Sequence, residues 1–229
     1  ALYERGLPSQ WRHQPVGTAR GMTMHESQSL IIEMLACRSE EFVRYLTPLV
    51  KETFGGSGPA WEAENLVRHY RRVQPGLIRV DADEVTYPAH VILRYRLEKN
   101  LISGDLTVAD LPGAWNEAMQ KSLGLTPPDD RDGVLQDIHW PSGAFGYFPT
   151  YTLGAMAAAQ LFDAAQNDND AVVIGLEHGD FGPLLSWLRT HVHALGSLMS
   201  TQDLMVRATK KPLDVEVYKA HLTRRYLGG

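Results

Sequence analysis

Gly21-Met22-Thr23-Met24-His25-Glu26-Ser27-Gln28-Ser29-Leu30-Ile31-Ile32-Glu33-Met34-Leu35 is the stretch on which the fold turns. Leu30, Ile31, Met34 and Leu35, continued by Phe42, Tyr45, Leu46 and Leu49, recur at the three- and four-residue separations of a core-facing helix rather than the alternation of a strand. Thr23 followed at the third position by Glu26 has the form of a capping box, so a helix is expected to start near Thr23. Gly55-Gly56-Ser57-Gly58-Pro59 stops it.

Working outward, the first twenty residues read as loop, because Pro8, Pro15, Gly17 and Gly21 break any longer helix. A short polar helix carries Trp61, Leu66, Val67 and Tyr70, with Arg68 to Arg72 as a solvated face. An extended piece over Leu77–Asp81 leads to a helix from about Asp83, with Val91, Tyr95 and Ile102 as its stripe and Pro88 in its first turns. Asp110 is placed to cap the next helix, with Pro112 in its first turn and Gly124 as its stop. Val134 to Trp140 has a β-like character, and the glycine-dotted aromatic segment to Phe148 has turn chemistry. Further helices are expected over Pro149 to about Ala165, Pro183–Leu195, Thr201–Ala208 and Asp214–Tyr226, with a polar break at Gln166–Asp170. The expected fold class is all-α with one small extended element near the polar clusters, in a single unit over residues 1–229.

Composition bounds the function. With 22 basic against 27 acidic residues the formal net charge is −5, so no global positive field favours nucleic acid or anionic membranes, and neither is an expected partner. A single cysteine, Cys37, excludes an internal disulfide framework and a cysteine-rich zinc site, and suits a reducing, cytoplasmic setting. The most apolar run, Leu30-Ile31-Ile32, is stopped by Glu33 and is far from the roughly 18 residues of a membrane span. The opening Ala1-Leu2-Tyr3-Glu4-Arg5 lacks an initiator Met and a signal-peptide core, so the chain is expected to begin inside a longer gene product.

Three segments hold more polar chemistry than helix packing requires: His25-Glu26-Ser27-Gln28; Arg79 with Asp81, Asp83 and Glu84; and Gln136-Asp137-Ile138-His139-Trp140 running on to Tyr147 and Tyr151. Spacing alone favours bland readings for the first two, a helix cap for Glu26 and a surface ion pair with Asp81 or Asp83 for Arg79. The third places several donors on short-range scaffolds, although tyrosines and histidines are often hydrogen-bonded core residues. His191 and His193, two apart on an expected helix, point to different faces and make a poor metal clip. No His-Glu-x-x-His string and no phosphate-cradling glycine loop occurs, and Cys37 reads as buried helix packing.

The strings Gly21–Leu30, Ile78-Arg79-Val80-Asp81-Ala82-Asp83-Glu84-Val85-Thr86-Tyr87-Pro88, Gly133-Val134-Leu135-Gln136-Asp137-Ile138-His139-Trp140 and Phe145-Gly146-Tyr147-Phe148-Pro149-Thr150-Tyr151-Thr152-Leu153-Gly154 occur in that order. In motifs, order and separation the chain resembles the M32 metallocarboxypeptidases of the carboxypeptidase Taq type over essentially its whole length. The resemblance implies a zincin-like, cytoplasmic homodimer that releases single C-terminal residues from peptides with zinc or a similar divalent ion such as cobalt. It also implies that Ala1-Leu2-Tyr3-Glu4 directly follows the His-Glu-x-x-His helix. Two metal ligands and the general base would then belong to an N-terminal half, and the 229 residues alone would be inactive.

By resemblance Glu26 is the third metal ligand, Arg79 the fork for the substrate's terminal carboxylate, and His139 the oxyanion donor. Tyr151 and Tyr147 add phenolic donors, and Gln136 and Asp137 are binding or supporting groups. The rival from another class is a noncatalytic helical peptide-binding module that kept the groove and lost the metal.

Overall fold

The computed structural model describes residues 1–228. It is all-α: among the described residues there are helices and turns but no strand. The chain divides into two compact units, Ala1–Arg71 with Leu153–Gly229, and Arg72–Thr152.

The first unit opens with α1 (Leu2–Gly6) and two 3₁₀ turns, so the expected opening loop is partly helical. α2 spans Gly21–Leu30 and passes directly into a π-helical segment, Ile31–Ala36, closed by the Cys37 N–H donating to the Ile32 carbonyl at 2.9 Å. The expected capping box is absent, since α2 starts at Gly21, two residues before Thr23, and no side chain caps it. After a turn through Cys37, which is therefore not inside a helix, α3 runs over Glu40–Phe54, capped by the Ser39 hydroxyl. A π turn holds more residues than an α turn, and the break at Cys37 restarts the helix, so the α2 stripe does not carry into α3. Val43 and Thr47 are buried there, while Tyr45 and Leu49 are exposed. α4 (Ala63–Tyr70) follows.

The second unit is built on two helices. α5 begins at Tyr87, later than Asp83, because the Asp83 carboxylate accepts the Val85 and Thr86 N–H groups in a separate turn; it ends at Ser103. α6 covers Leu111–Leu123 with Pro112 in its first turn and Gly124 in the left-handed conformation after it, although the Asp110 side chain does not cap it. Leu93 and Leu97 of α5 pack with Leu111, Trp115 and Met119 of α6.

The expected stripe on α5 is right at Val91, which is buried, and wrong beyond it. Tyr95 and Ile102 are exposed, whereas His90, Arg94 and Glu98, at successive four-residue steps, are buried beside the apolar face. The expected β-like segment at Val134–Trp140 is a series of turns, such as Gln136 N–H to the Gly133 carbonyl and Ser142 N–H to the Ile138 carbonyl. Its polar residues are held by side-chain bonds, which leaves no backbone ladder for a strand to join.

α7 (Pro149–Asp168) starts in the second unit and continues into the first. There its small face, Ala157, Ala158 and Ala165, is buried among Met24, Ile31, Leu35, Leu176, Leu184, Leu188, Leu204 and Met205. α8 (Ala171–Glu177), α9 (Gly182–His191), α10 (Thr201–Thr209) and α11 (Val215–Leu227) complete that unit. α8 occupies sequence that spacing left unassigned. The wide π turn leaves carbonyls at Met34 and Leu35, which accept the Arg225 guanidinium of α11 at 2.6 and 3.3 Å.

Candidate active site

In the second unit, one carboxylate organises the site. Asp137 accepts Arg79 Nη2 on Oδ1 at 2.7 Å and Arg94 Nε on Oδ2 at 2.6 Å. Burial alone would raise the carboxyl, but the guanidiniums of Arg79 and Arg94 more than offset it and hold Asp137 below the usual range. Arg79 is 5% exposed; burial works against its charge, yet the hydrogen bond to Asp137 prevails and its pKa lies above the ordinary value. Arg94, fully buried, is pushed down to about 10 by desolvation and so stays charged at neutral pH. The bland reading of Arg79 is thereby corrected: its partner is Asp137, 58 residues away, while Asp81 is exposed and Asp83 caps its own turn.

Gln136 joins the two arginines a second time. Its Oε1 accepts the Arg79 backbone N–H at 2.9 Å and Arg94 Nη2 at 2.8 Å, while its Nε2 donates to the carbonyls of Leu77, Asp132 and Gly133. Both ends of the amide are committed, so Gln136 braces Arg79. Arg79 Nη1 donates to the Tyr87 hydroxyl at 2.7 Å, and its guanidinium lies 4.7 Å from the Tyr151 ring centroid. Of the five guanidinium N–H groups, those on Nε, Nη1 and Nη2 that meet Asp137 and Tyr87 account for three. The other two meet no acceptor among the described residues.

His139 Nε2 and the Tyr151 hydroxyl are 2.9 Å apart, and the imidazole lies on Phe148 with centroids 4.3 Å apart. Burial lowers its pKa, with Asp137, 3.8 Å from Nδ1, pulling the other way, so the ring is neutral at pH 7. Tyr147 packs against both His139 and Tyr151 at 5.4 Å, and its hydroxyl has no hydrogen-bond partner among the described residues. The two tyrosines therefore differ: Tyr151 is committed to His139, and Tyr147 has an open phenol.

The first unit holds the remaining sequence candidate. Glu26 lies mid-α2, half-buried, next to Gly154 of α7. A Cβ at Gly154 would lie 2.9 Å from both Cβ and Cγ of Glu26, so only glycine gives that side chain its place. Beneath it, His193 Nε2 meets Gln28 Oε1 at 2.7 Å, Gln28 Nε2 donates to the Ser27 hydroxyl at 2.9 Å, and that hydroxyl donates to the Met24 carbonyl. This fixes the face of α2 from the core side. With Gln28 presenting its oxygen, the buried His193 carries its proton on Nε2, and burial pushes its pKa down to about 4. Among the described residues no three His, Cys, Asp or Glu side chains group as a metal site. Glu26 is a single oxygen donor in a cradle shaped for it, which fits one ligand of a shared site.

The family described as carboxypeptidase Taq (M32) metallopeptidase matches residues 1–226. The chain belongs to the M32 family. It is 41% identical over 226 residues to thermostable carboxypeptidase 1 of Thermus thermophilus, covering 99% of this chain and 44% of that protein. It is 38% identical to carboxypeptidase 1 of Bacillus subtilis, of which it covers 45%. The chain thus spans about half the length of these relatives. Among solved structures, Trypanosoma cruzi metallocarboxypeptidase 1 superposes with a TM-score of 0.93 at 43% identity, over 99% of this chain and 48% of that one.

Several residues around these candidates escape sequence reading. Tyr87, Arg94 and Glu98 each hold a candidate residue or its loop, and Gly154 shapes the place of Glu26. The signal for two of them was the four-residue spacing of His90, Arg94 and Glu98, a polar stripe next to Leu93 and Leu97.

Proposed function

We propose that this chain forms the carboxylate-recognising part of a metallocarboxypeptidase that hydrolyses the C-terminal bond of peptides. The observation that carries the reading is Arg79: a buried, permanently charged fork, braced on three sides, that keeps two N–H groups in hand over the ring of Tyr151, against which Tyr147 packs. A C-terminal carboxylate is the planar anion that such a fork fits. Arg79 and Tyr147 bind it, and Asp137, Arg94, Gln136 and Tyr87 keep Arg79 from turning. His139, neutral and bonded to Tyr151, is the group that donates to a developing oxyanion once its proton lies on Nε2.

Glu26 would hold a zinc or similar divalent ion together with two histidines from outside these 229 residues, and that ion, when bound, polarises the scissile carbonyl and acidifies water. The intact enzyme is read as a homodimer of the cytoplasm, and the 229 residues by themselves as inactive.

The test uses the chain joined to a segment supplying the two histidines and the base. Arg79→Ala should lower kcat/KM on a blocked dipeptide by roughly 30- to 1,000-fold, the scale of a lost charged binding pair, and Arg79→Lys by less. On the same dipeptide with an amidated C-terminus, already a poor substrate, Arg79→Ala should add almost nothing. An equal loss on acid and amide would return Arg79 to a purely structural partner of Asp137.

A further inference from the structure

Glu98 is a buried carboxylate, 6% exposed, on the polar stripe of α5. Among the described residues no lysine, arginine or histidine pairs with it. Its two oxygens are taken instead by neutral donors: the Trp140 indole N–H on Oε2 at 2.8 Å and the Gly146 backbone N–H on Oε1 at 2.6 Å. A buried anion without a counter-charge costs several kcal/mol unless its acceptors are filled, so a sequence that retains one here has a use for that geometry.

The two donors flank one turn. Between them the backbone closes on itself, with Ala144 N–H donating to the His139 carbonyl at 2.8 Å and Gly143 N–H to the Trp140 carbonyl at 2.9 Å. Gly146, at φ +77°, is in the left-handed region that favours glycine, which brings its N–H to Glu98 immediately before Tyr147. Trp140 is itself seated edge-on against Trp115 and Phe148. His139 and Tyr147 are therefore each one residue from an atom that Glu98 holds.

We propose that Glu98 is a positioning residue that sets His139 and Tyr147 relative to Tyr151 by clamping both ends of the 139–147 turn. It touches no substrate; it acts through the turn. Glutamine retains the volume but not the function, because one amide oxygen accepts one N–H while the amide NH₂ opposes the other. Aspartate is too short to reach both donors from the same α5 backbone.

The inference rests on the proposed function only for what the turn does to substrate, so the decisive measurement is made on the protein without substrate. In proton–nitrogen NMR, Glu98→Gln should shift the Trp140 indole N–H and speed exchange of the Gly146 amide about tenfold or more, the scale of one lost charge-assisted bond. It should also move the aromatic resonances of Tyr147 and Tyr151 and lower the pH at which His139 titrates, since Glu98 supplies negative charge to that ring. The Trp115 indole should stay in place. If only Trp140 and Gly146 respond, Glu98 is a local brace and the proposal is overturned. Failure of Glu98→Gln to fold would overturn it too, by showing that the carboxylate holds the unit rather than the turn. In the peptidase assay the variant should lose kcat more than KM. Normal turnover with the NMR changes present would leave the clamp standing and remove His139 from the reacting centre.

Discussion

Arg94 Nε lies 2.6 Å from Oδ2 of Asp137, while the other oxygen of that carboxylate holds Arg79 at 2.7 Å. Two buried cations thus share one anion, and Asp137 is the counter-charge on which both depend.

Asp137→Asn should be strongly destabilising, by about 3–5 kcal/mol, because it leaves both guanidiniums buried without a counter-charge. Glu62→Gln, which breaks the exposed Lys51–Glu62 pair at 2.8 Å, should cost less than about 1 kcal/mol. Urea unfolding of both variants measures the contrast. A loss at Asp137 no larger than at Glu62 would mean that water reaches the two arginines freely.

Stability should fall on mild acidification. His90 and His193 are both buried, with pKa values pushed down to about 4 by desolvation, helped by Arg94 at His90 and Arg189 at His193. Both are neutral in the folded state and regain an ordinary value near 6.5 on unfolding, so the unfolded chain binds more protons below that pH. Their contribution is complete above pH 6.5 and is lost as pH falls from there toward 4, on the order of 3 kcal/mol for each histidine. Asp137, whose pKa is lowered, adds a loss only below its ordinary carboxylate value. Replacing His193 with Gln should flatten the acid limb measured by urea unfolding between pH 7.5 and 4.5, whatever it does to stability at pH 7.5. An unchanged limb would place that proton uptake elsewhere.

Sequence reading reached the helical class and most helix ends because these depend on local signals: Pro112 and Gly124 bracket α6, and Pro149 opens α7. It missed the phase of α3 because a π turn leaves no local mark in the residues Ile31–Ala36. It took Val134–Trp140 for an extended element because Val134, Ile138 and Trp140 are residue types that favour strands. In the fold Leu135 and Ile138 are exposed, while Gln136 and Asp137 turn toward the arginines. Arg79 was found, but its partner was sought among near neighbours. A charge pair across 58 residues has no spacing to read.

Gly154 offers the sharpest check on Glu26. Adding one methyl at Gly154 puts a carbon 2.9 Å from Cβ and Cγ of Glu26, closer than packed carbons come, and neither of those atoms is the free end of a flexible chain. α2 or the Glu26 rotamer has to move. Gly113, on α6, is the control, since a Cβ there meets nothing within 4 Å. Gly113→Ala should stabilise by about 0.4–1 kcal/mol and leave metal binding alone, while Gly154→Ala should cost about 1–3 kcal/mol by overpacking. In the protein joined to the segment that supplies the two histidines, zinc affinity measured by competition with a chelating dye should drop at least about tenfold in Gly154→Ala, the cost of misaiming one ligand. Glu26→Gln should weaken binding further, because a neutral amide is a poorer ligand than a carboxylate, with the helical circular dichroism intact. Wild-type zinc affinity in Glu26→Gln would remove Glu26 from the metal. Loss in Glu26→Gln but not in Gly154→Ala would keep the ligand and show that Gly154 serves only the packing of α7 on α2.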